Sequence, residues 1–356
     1  MTAVDLGRIG SMRRNRVPYA ALLSLLGVAI FLSLGLGAVG IAPIDIVSIL
    51  GERLGLPALT ETDARDGLVL IGIRLPRVIL AMLVGGGLAM AGAALQGLFR
   101  NPLADPALLG VSSGAALAVA ATIVFGGGLI AMLPVPLRVW ALPAAAFCGA
   151  MIVTALIYGF VARRPTVDVT ILLLSGIAIN AFAGAGLGLA TFLSEDQQLR
   201  DITFWLLGRL SGVGWAKLLP VAVMIGIGLV WMLRLARPLN AILLGEREAF
   251  QIGFAVEPVK RQLILVTALA SGAAVALTGM IGFVGLLVPH LARMLVGADH
   301  RRLLPTAAIL GASLLLLADL LARLVVLPAE LPIGVVTSFI GAPFFLWLLL
   351  RRRAGV

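Results

Sequence analysis

The sequence has few of the residues on which redox-active and soluble proteins depend. One cysteine, Cys148, occurs in 356 residues, so the chain has no disulfide framework and no multi-thiolate metal site. Because Cys148 lies within an apolar stretch, we expect it to behave as a small buried hydrophobe. Charged residues make up only 12% of the chain, against about a quarter in globular domains. A soluble fold is therefore excluded, since it could not cover so much apolar surface.

Nucleotide-binding and catalytic motifs are also missing. The sequence contains no Gly-x-x-x-x-Gly-Lys-[Ser/Thr] phosphate loop, and its two lysines are Lys217 and Lys260. The chain alone is therefore not expected to hydrolyse ATP. It has no His-Glu-x-x-His and no paired carboxylates within an apolar stretch, which predicts no catalytic residues.

Ionisable groups within the apolar stretches are rare. A proton-coupled carrier usually has a relay of buried acids, and here only Asp319 qualifies. Arg323 follows Asp319 at i+4 on the same helix face, so a local ion pair is the simplest explanation. His290 and His300 are ten residues apart, which matches no recognised metal-site spacing, and we predict no metal site.

Long apolar runs dominate what is present. Hydrophobic residues make up 61% of the chain, and the runs have about the 17 to 25 residues that a bilayer core requires. The first exceeds a signal-peptide apolar region in length and is expected to be an uncleaved helix. The eighth is short. Ten membrane-spanning helices are predicted at Val17–Ile41, Val78–Leu98, Ala107–Phe125, Trp140–Val161, Ile171–Leu193, Leu218–Leu235, Leu263–Ile281, Phe283–Val296, Thr306–Val326 and Ile333–Leu350. The fold class is thus all-α and polytopic.

The basic residues predict the orientation. With both termini in the cytoplasm, 18 of the 27 Lys and Arg residues fall on the inside, in agreement with the positive-inside rule. The net charge of +10 is thereby explained by topology, and the absence of a single basic patch argues against a nucleic-acid partner. The predicted inside residues are Arg8, Arg13, Arg14, Arg16, Arg100, Arg163, Arg164, Arg234, Arg237, Arg247, Lys260, Arg261, Arg293, Arg301, Arg302 and Arg351–Arg353.

Glycines at small-xxx-small spacing are frequent, as in Gly110/Gly114 and Gly184/Gly188. In lipid, close backbone approach at such residues holds helices together. The glycines therefore predict a tight helix bundle.

A polar insert separates the sixth and seventh stretches. About 28 cytoplasmic residues run from Arg234 to Arg261, whereas helix connections in bundles usually have 2–8. The segment predicts a short amphipathic helix that stops at Gly253. Such a helix either lies on lipid or inserts into the groove of a partner. Its mixed charge, with Glu246 and Glu248, argues against an anionic lipid surface and favours a protein partner.

Six motifs follow one another along the chain: Arg74–Arg77, Gln96–Pro106, Gly110–Gly114, Gly245–Gly253, Gly282–His290 and Glu330–Thr337. In these motifs the chain resembles the FecCD-type permeases, the membrane subunits of ABC importers for haem, ferric siderophores and cobalamin. The similarity runs in order over nearly the full length, which is expected to form one permease domain, residues 1–356, with a coupling segment at about 240–258.

The resemblance implies a homodimer in a bacterial inner membrane, with the path along the two-fold axis between the fifth and tenth helices. Two ATPase subunits, which carry ATP and Mg, would dock below and a periplasmic substrate-binding protein above. The chain itself would bind no cofactor. The implied site residues fall into three groups. ATPase coupling is implied for Leu244, Gly245, Glu246, Glu248, Ala249 and Gly253. Docking of the binding protein is implied for Arg74, Arg77 and Arg323, and the alternative is that these arginines only anchor the chain at the membrane interface. A cytoplasmic gate is implied for Asn101, Leu103, Val169 and Thr170.

The motif sequences are most similar to those of haem permeases, notably in Asp196–Gly208 and Leu95–Arg100. Haem has two propionates and a large apolar ring, so a weakly polar path with Arg200 near its mouth is chemically sensible. Arg209 and Asn180 complete the implied substrate path. Relatives often have a small residue in place of Arg209, so ferric siderophore and cobalamin stay open as substrates, as does contact of His290 or His300 with the cargo.

Two other classes remain as alternatives. A secondary carrier or channel would need no ATPase, and the coupling insert argues against it. A membrane-embedded enzyme is disfavoured by the missing catalytic motifs.

Overall fold

The computed structural model describes residues 19–162 and 169–353, and within these ranges the chain is helical with no β-strand. Arg8, Arg13, Arg14, Arg16, Arg163 and Arg164, among the predicted inside residues, lie outside the described residues. The helices are α1 (Tyr19–Gly35), α2 (Pro43–Arg53), α3 (Ala64–Val69), α4 (Leu75–Leu98), α5 (Val111–Phe125), α6 (Gly127–Met132), α7 (Val135–Arg138), α8 (Ala141–Ala162), α9 (Val169–Phe192), α10 (Asp196–Leu206), α11 (Trp215–Arg234), α12 (Ala236–Leu244), α13 (Glu246–Gln251), α14 (Val256–Thr278), α15 (Val284–Val296), α16 (His300–Leu324) and α17 (Ile333–Arg353).

The predicted membrane spans are confirmed as helices. In the described ranges, six helices are long and apolar enough to cross a bilayer, and α1, α5, α15 and α17 supply four shorter apolar helices or segments. Boundaries differ where polar residues extend a helix beyond its apolar run. α14 begins at Val256, seven residues before the predicted Leu263, and α16 begins at His300 because the Asp299 side chain accepts a hydrogen bond from the Arg301 amide and caps the helix.

Helix α4 is the centre of the bundle. Nearly all its side chains are buried, and it packs against α11, α14, α15 and α16. A Cβ added to Gly92 would lie 1.9 Å from the carbonyl oxygen of Gly285, and one added to Gly85 would lie 2.2 Å from that of Gly311. These contacts allow only glycine, so backbone approach holds α4 to α15 and α16. By contrast, Gly184 has nothing within 4 Å of an added Cβ.

The surface of α9 therefore does not use its predicted small-residue spacing within the chain. Gly188, like Gly184, would have open space around an added Cβ. At Gly114 the prediction is confirmed, because an added Cβ would lie 2.4 Å from the carbonyl oxygen of Gly149 on α8.

The sequence did not predict α10 (Asp196–Leu206) as a helix. Glu195 and Gln198 form a capping box at its start, which satisfies backbone N–H groups that a helix leaves free. Ile202 and Trp205 are buried, and the Gln198 amide also donates to the carbonyl oxygen of Ile123 at 3.2 Å. The helix thus lies across the end of α5, and a capping box is the signal that could have found it.

The thiol of Cys148 is exposed on α8, so the expectation of a buried hydrophobe was wrong. α8 is apolar along its whole length, from Ala141 to Ala162. A helix that is apolar on every side does not reveal in its sequence which face packs against its neighbours.

Four arginines that the positive-inside pattern assigns to opposite sides lie at opposite ends of α4. Arg77 and Arg209, both assigned to the outside, line one cavity at the beginning of α4. Arg100 and Arg293, both assigned to the inside, line another at its end. The two cavities are separated by most of the length of α4, about 36 Å for 24 residues.

Candidate functional site

The coupling segment forms two short helices instead of the single helix predicted. α12 and α13 meet at Gly245, whose φ of 141° lies in the region that favours glycine. A Cβ at Gly245 would also lie 1.7 Å from a carboxylate oxygen of Glu248. Gly245 is therefore a fixed corner, and the Glu248 side chain folds back over it. α13 ends at Gln251, and Gly253 follows with a φ of 94°.

The exposed surface of the coupling segment is apolar. The side chains of Leu244, Phe250 and Ile252 are 72%, 73% and 59% exposed, and Arg247 and Glu248 are exposed beside them. Exposed large hydrophobics that are rimmed by charge mark a surface for a partner. Phe250 and Ile252 were not among the predicted coupling residues, although both are apolar residues within the predicted coupling segment.

Glu246 and Ala249 face the interior of the chain. Ala249 is fully buried, and the Glu246 carboxylate lies 2.6 Å from the ammonium group of Lys260. Lys260, on α14, is 1% exposed and also lies 3.2 Å from Glu257. The two carboxylates neutralise the charge of the ammonium group, which would be costly to bury without a partner. Lys260 therefore fastens α13 to α14, a role that the sequence analysis did not foresee.

The predicted gate residues lie just after the end of α4 and at the start of α9. The Asn101 side chain accepts a hydrogen bond from the Leu103 amide at 2.9 Å, and Leu103 itself is 58% exposed. Asp105 caps the turn that follows by accepting from the Ala107 amide at 2.9 Å, and burial raises the pKa of its carboxyl group. Thr170 is exposed near the start of α9, which begins at Val169. A gate role for these residues stays a prediction.

The predicted docking residue Arg77 is engaged inside the chain. Its guanidinium group lies 2.8 Å from Asp319 on α16 and 2.8 Å from Glu330 in the loop before α17. Asp319 also pairs with Arg323 at 3.1 Å, which confirms the predicted local ion pair. The Asp319 side chain is 3% exposed, whereas that of Glu330 is 41% exposed. The cluster ties three distant parts of the chain together.

Arg74 and Arg323 donate hydrogen bonds to carbonyl groups at the end of α1. Arg323 donates to the carbonyl oxygens of Leu36 at 3.1 Å and Ser33 at 3.3 Å. Arg74 donates to the carbonyl oxygen of Gly35 at 2.9 Å, and also to those of Leu34 and Val39. These carbonyls are the groups that a helix end leaves without partners.

All three arginines are less than 10% exposed. Their guanidinium groups therefore make contacts within the chain and are not free at its surface. A docking role for Arg74, Arg77 and Arg323 stays a prediction.

The predicted path residues do not meet in one cavity. Asn180 on α9 donates to the carbonyl oxygen of Ala107 at 3.2 Å and accepts from Ser113. These hydrogen bonds link α9 to α5 and to the turn before it. Arg200 is exposed on α10 and donates to Gln197 at 2.8 Å. Arg209 is exposed beyond α10, and its backbone amide donates to Thr278 at 2.7 Å.

An apolar cavity of about 670 Å³ runs along the outer face of α17. Its wall includes Leu207 from the end of α10, Met280, and Phe339 and Leu346 of α17. The cavity lies beside the tenth predicted span, and the sequence offered no signal for its shape.

The two histidines differ in their surroundings. The His290 ring lies edge-on to Phe344, with centroids 6.3 Å apart. His300 is 1% exposed, and its Nδ1 lies 2.9 Å from the Asn240 side-chain oxygen. Within the described residues, no group of three or more His, Cys, Asp or Glu side chains could hold a metal ion.

Asp299, beside His300, is held in the same loop. Partial burial acts to raise the pKa of its carboxyl group, but hydrogen bonds from Asn240 and the Arg301 amide lower it below its usual value. Asp299 therefore stays charged at the start of α16, where the helix dipole favours a negative charge.

The model of the FecCD transport family matches residues 25–351 of this sequence. The chain belongs to the FecCD transport family. It is thus a multi-pass permease subunit of the ABC transporter type, as the resemblance of its motifs implied.

Curated members of the FecCD family give two kinds of match. The chain is 47% identical over 302 residues to the hemin transport system permease protein HmuU of Yersinia pestis, covering 84% of this chain and 89% of the relative. It is 40% identical over 341 residues to the vitamin B12 import system permease protein BtuC of Citrobacter koseri, covering 96% of each.

Solved structures agree with the fold. A structure described as an inward-facing conformation of a metal-chelate type ABC transporter superposes with a TM-score of 0.80 at 33% identity, covering 93% of this chain and 98% of that one. PsaBC from Streptococcus pneumoniae, solved with a Fab, has a TM-score of 0.52 at 18% identity, covering 79% of this chain and 92% of that one. This second likeness concerns the fold alone.

Proposed function

We propose that this chain is the permease subunit of an ABC importer that moves haem across a bacterial inner membrane, driven by a separate ATPase. The observation that carries the proposal is the 47% identity to a hemin permease, against 39% to 42% for vitamin B12 permeases. In this proposal haem is the cargo, the chain holds no cofactor of its own, and ATP and Mg are bound by the partner ATPase.

The apolar cavity along α17 supports a large apolar cargo. Its volume of about 670 Å³ lies within the range of small-molecule sites, and its wall is mostly aliphatic. Proteins that hold haem firmly supply an axial ligand to its iron. A transport path must release the haem, so a strong bond between the path and the iron brings little advantage. Arg200, exposed on α10, is proposed to attract the propionates at the periplasmic mouth, with Arg209 in support.

The exposed apolar surfaces support the proposed partners. α9 and α17 carry Phe182 and Phe339, which are 78% and 77% exposed, and these helices are proposed to face a second copy across a homodimer axis. Two ATPase subunits are proposed to cover Leu244 and Phe250 of the coupling segment. A periplasmic binding protein would dock at the opposite end. The remaining outer surface is left to membrane lipid, and no nucleic-acid partner is proposed.

Cobalamin is the second candidate cargo, because the vitamin B12 permease of Citrobacter koseri aligns over 96% of this chain. A ferric siderophore would fit the same family. A secondary carrier would require transport by the chain alone.

The test is uptake into liposomes that contain the permease with its ATPase and binding protein, supplied in turn with haem, cobalamin and a ferric siderophore. We expect ATP-dependent uptake of haem. Arg200→Glu is expected to slow haem uptake far more than His290→Ala does. Uptake of cobalamin or the siderophore without haem would replace the cargo and leave the permease assignment intact. Transport by the chain without ATPase would overturn the importer mechanism.

A further inference from the structure

A polar cavity of about 300 Å³ lies at the cytoplasmic end of α4. Its polar wall includes the side chains of Gln96, Arg100, Asn101 and Arg293, and Leu243 of α12 closes one side. Arg293 is half-buried and Arg100 is exposed at the mouth. The predicted gate turn and the coupling segment therefore share a small basic cavity.

The two guanidinium groups have no acidic partner. Arg293 donates to the Gln96 side-chain oxygen at 3.1 Å, and the Gln96 amide in turn donates to the carbonyl oxygen of Gly285 at 3.4 Å. In the part of the chain that the structure describes, no carboxylate oxygen lies within 4.0 Å of Arg100 or Arg293. The neighbouring Asp299 instead accepts from Asn240 and from the Arg301 amide.

This arrangement attracts an anion. A guanidinium group has five N–H donors, and one neutral amide oxygen satisfies a single donor of Arg293. Two like charges on one cavity repel each other, and withdrawing a charge from water without a counter-ion is costly. A carboxylate matches the guanidinium fork with two parallel hydrogen bonds. The cavity volume, about ten times the share of one water molecule, accommodates such a group.

We propose that this cavity receives a carboxylate side chain of the docked ATPase subunit. The proposal rests on the proposed function, since it names the contact that this partner makes. Leu243 in the cavity wall immediately precedes Leu244, which is 72% exposed. A protein that covers Leu244 therefore contacts the chain one residue from the cavity wall. The cavity wall also includes α4, which is buried by other helices, so the lipid phase is the poorer source of the anion.

The test measures the affinity of the detergent-solubilised permease for its ATPase subunit. Arg100→Gln is expected to weaken binding about tenfold, and Arg100→Gln with Arg293→Gln about 100-fold, since each desolvated charge contact contributes about 1.4 kcal/mol or more. The matched control is Arg301→Gln with Arg302→Gln. This pair removes the same charge from two exposed residues outside the cavity, and its binding is expected to stay within about twofold of wild type.

A reciprocal change identifies the partner group. Exposed Asp and Glu residues of the ATPase are changed to Lys one at a time, and one of these variants is expected to restore binding to Arg100→Glu. Restoration by none of them overturns the proposal. Equal binding by wild type and Arg100→Gln also overturns it, and does not depend on whether the Arg293 variant folds.

Two further outcomes separate the proposals. If wild-type permease binds no ATPase, the proposed function fails. If inorganic phosphate raises the thermal midpoint of the wild type but not of Arg100→Gln, and ATPase binding is equal for both, the cavity is a small-anion site and the carboxylate proposal is wrong.

Discussion

Replacing Lys260 by Met tests whether the coupling segment is fastened to the bundle through this one ammonium group. Met fills a similar volume without charge, so the packing around the 1% exposed side chain is largely kept. The change removes the contacts of 2.6 Å with Glu246 and 3.2 Å with Glu257. We expect α13 to detach more often from α14.

The structure sets the size of the effect. Removing one partner of a fully buried ion pair costs about 3–5 kcal/mol, and an exposed pair contributes about 0–1 kcal/mol. The Glu246 and Glu257 side chains are 35% and 25% exposed, so both carboxylates regain water when Lys260 is lost. An intermediate cost of about 1–3 kcal/mol is expected, which raises the detached population of α13 roughly 5- to 150-fold.

The assay is hydrogen–deuterium exchange of the backbone amides in α13, with ATP turnover stimulated by the loaded binding protein as the functional readout. Faster exchange in α13 and reduced stimulation are expected. Lys217→Met is the matched control, because it removes the other lysine of the chain, at the opposite end of the bundle.

A double-mutant cycle guards against a general loss of structure. Glu246→Gln added to Lys260→Met should cost less than the sum of the two single changes, because the second change removes an interaction that is already broken. Unchanged exchange in α13 for Lys260→Met, or full additivity in the cycle, would refute the fastening role.

Three other expectations follow from the same contacts. Asp319→Asn should lower the thermal midpoint of the purified permease more than Glu330→Gln, because the Asp319 side chain is 3% exposed and that of Glu330 is 41% exposed; equal shifts would contradict this. Gly92→Ala should destabilise the bundle, since its Cβ would lie 1.9 Å from a carbonyl oxygen, whereas Gly226→Ala on α11, with open space, should be neutral or slightly stabilising in the same melts. Phe250→Glu, at a 73% exposed residue, should weaken ATPase binding in a pull-down without changing the melt, and normal binding would remove α13 from the interface.

The sequence predicted most of the fold because membrane spans are determined by length and apolarity alone. The ten apolar runs became helices, and the long insert after Arg234 formed helical elements of its own, α12 and α13, instead of the single helix predicted. Boundaries failed where charged residues continued a helix, as at the start of α14. α10 was missed because its residues are mostly polar, so neither an apolar run nor a partner surface marked it.

Side-chain partners were predictable only where they are close in sequence. Asp319 and Arg323 are four residues apart and their pairing was predicted, whereas Arg77 and Glu330 are 253 residues apart. No helical periodicity connects residues at that separation. The same limit explains Glu246, which was assigned to the partner surface because nothing local indicated that Lys260 would reach it.

The end of α1 has a consequence for the order in which this protein is made. Its last carbonyl groups are held by Arg74 and by Arg323, and Arg323 is made 287 residues after Leu36. Because a ribosome adds residues from the N-terminus onward, the end of α1 receives the hydrogen bonds of Arg323 only when the ninth predicted span is nearly complete. Until then, among the residues that the structure describes, Arg74 alone supplies side-chain hydrogen bonds of this kind to the end of α1. A chain truncated before Arg323 should therefore leave α1 more accessible to protease or lipid than the full-length protein does.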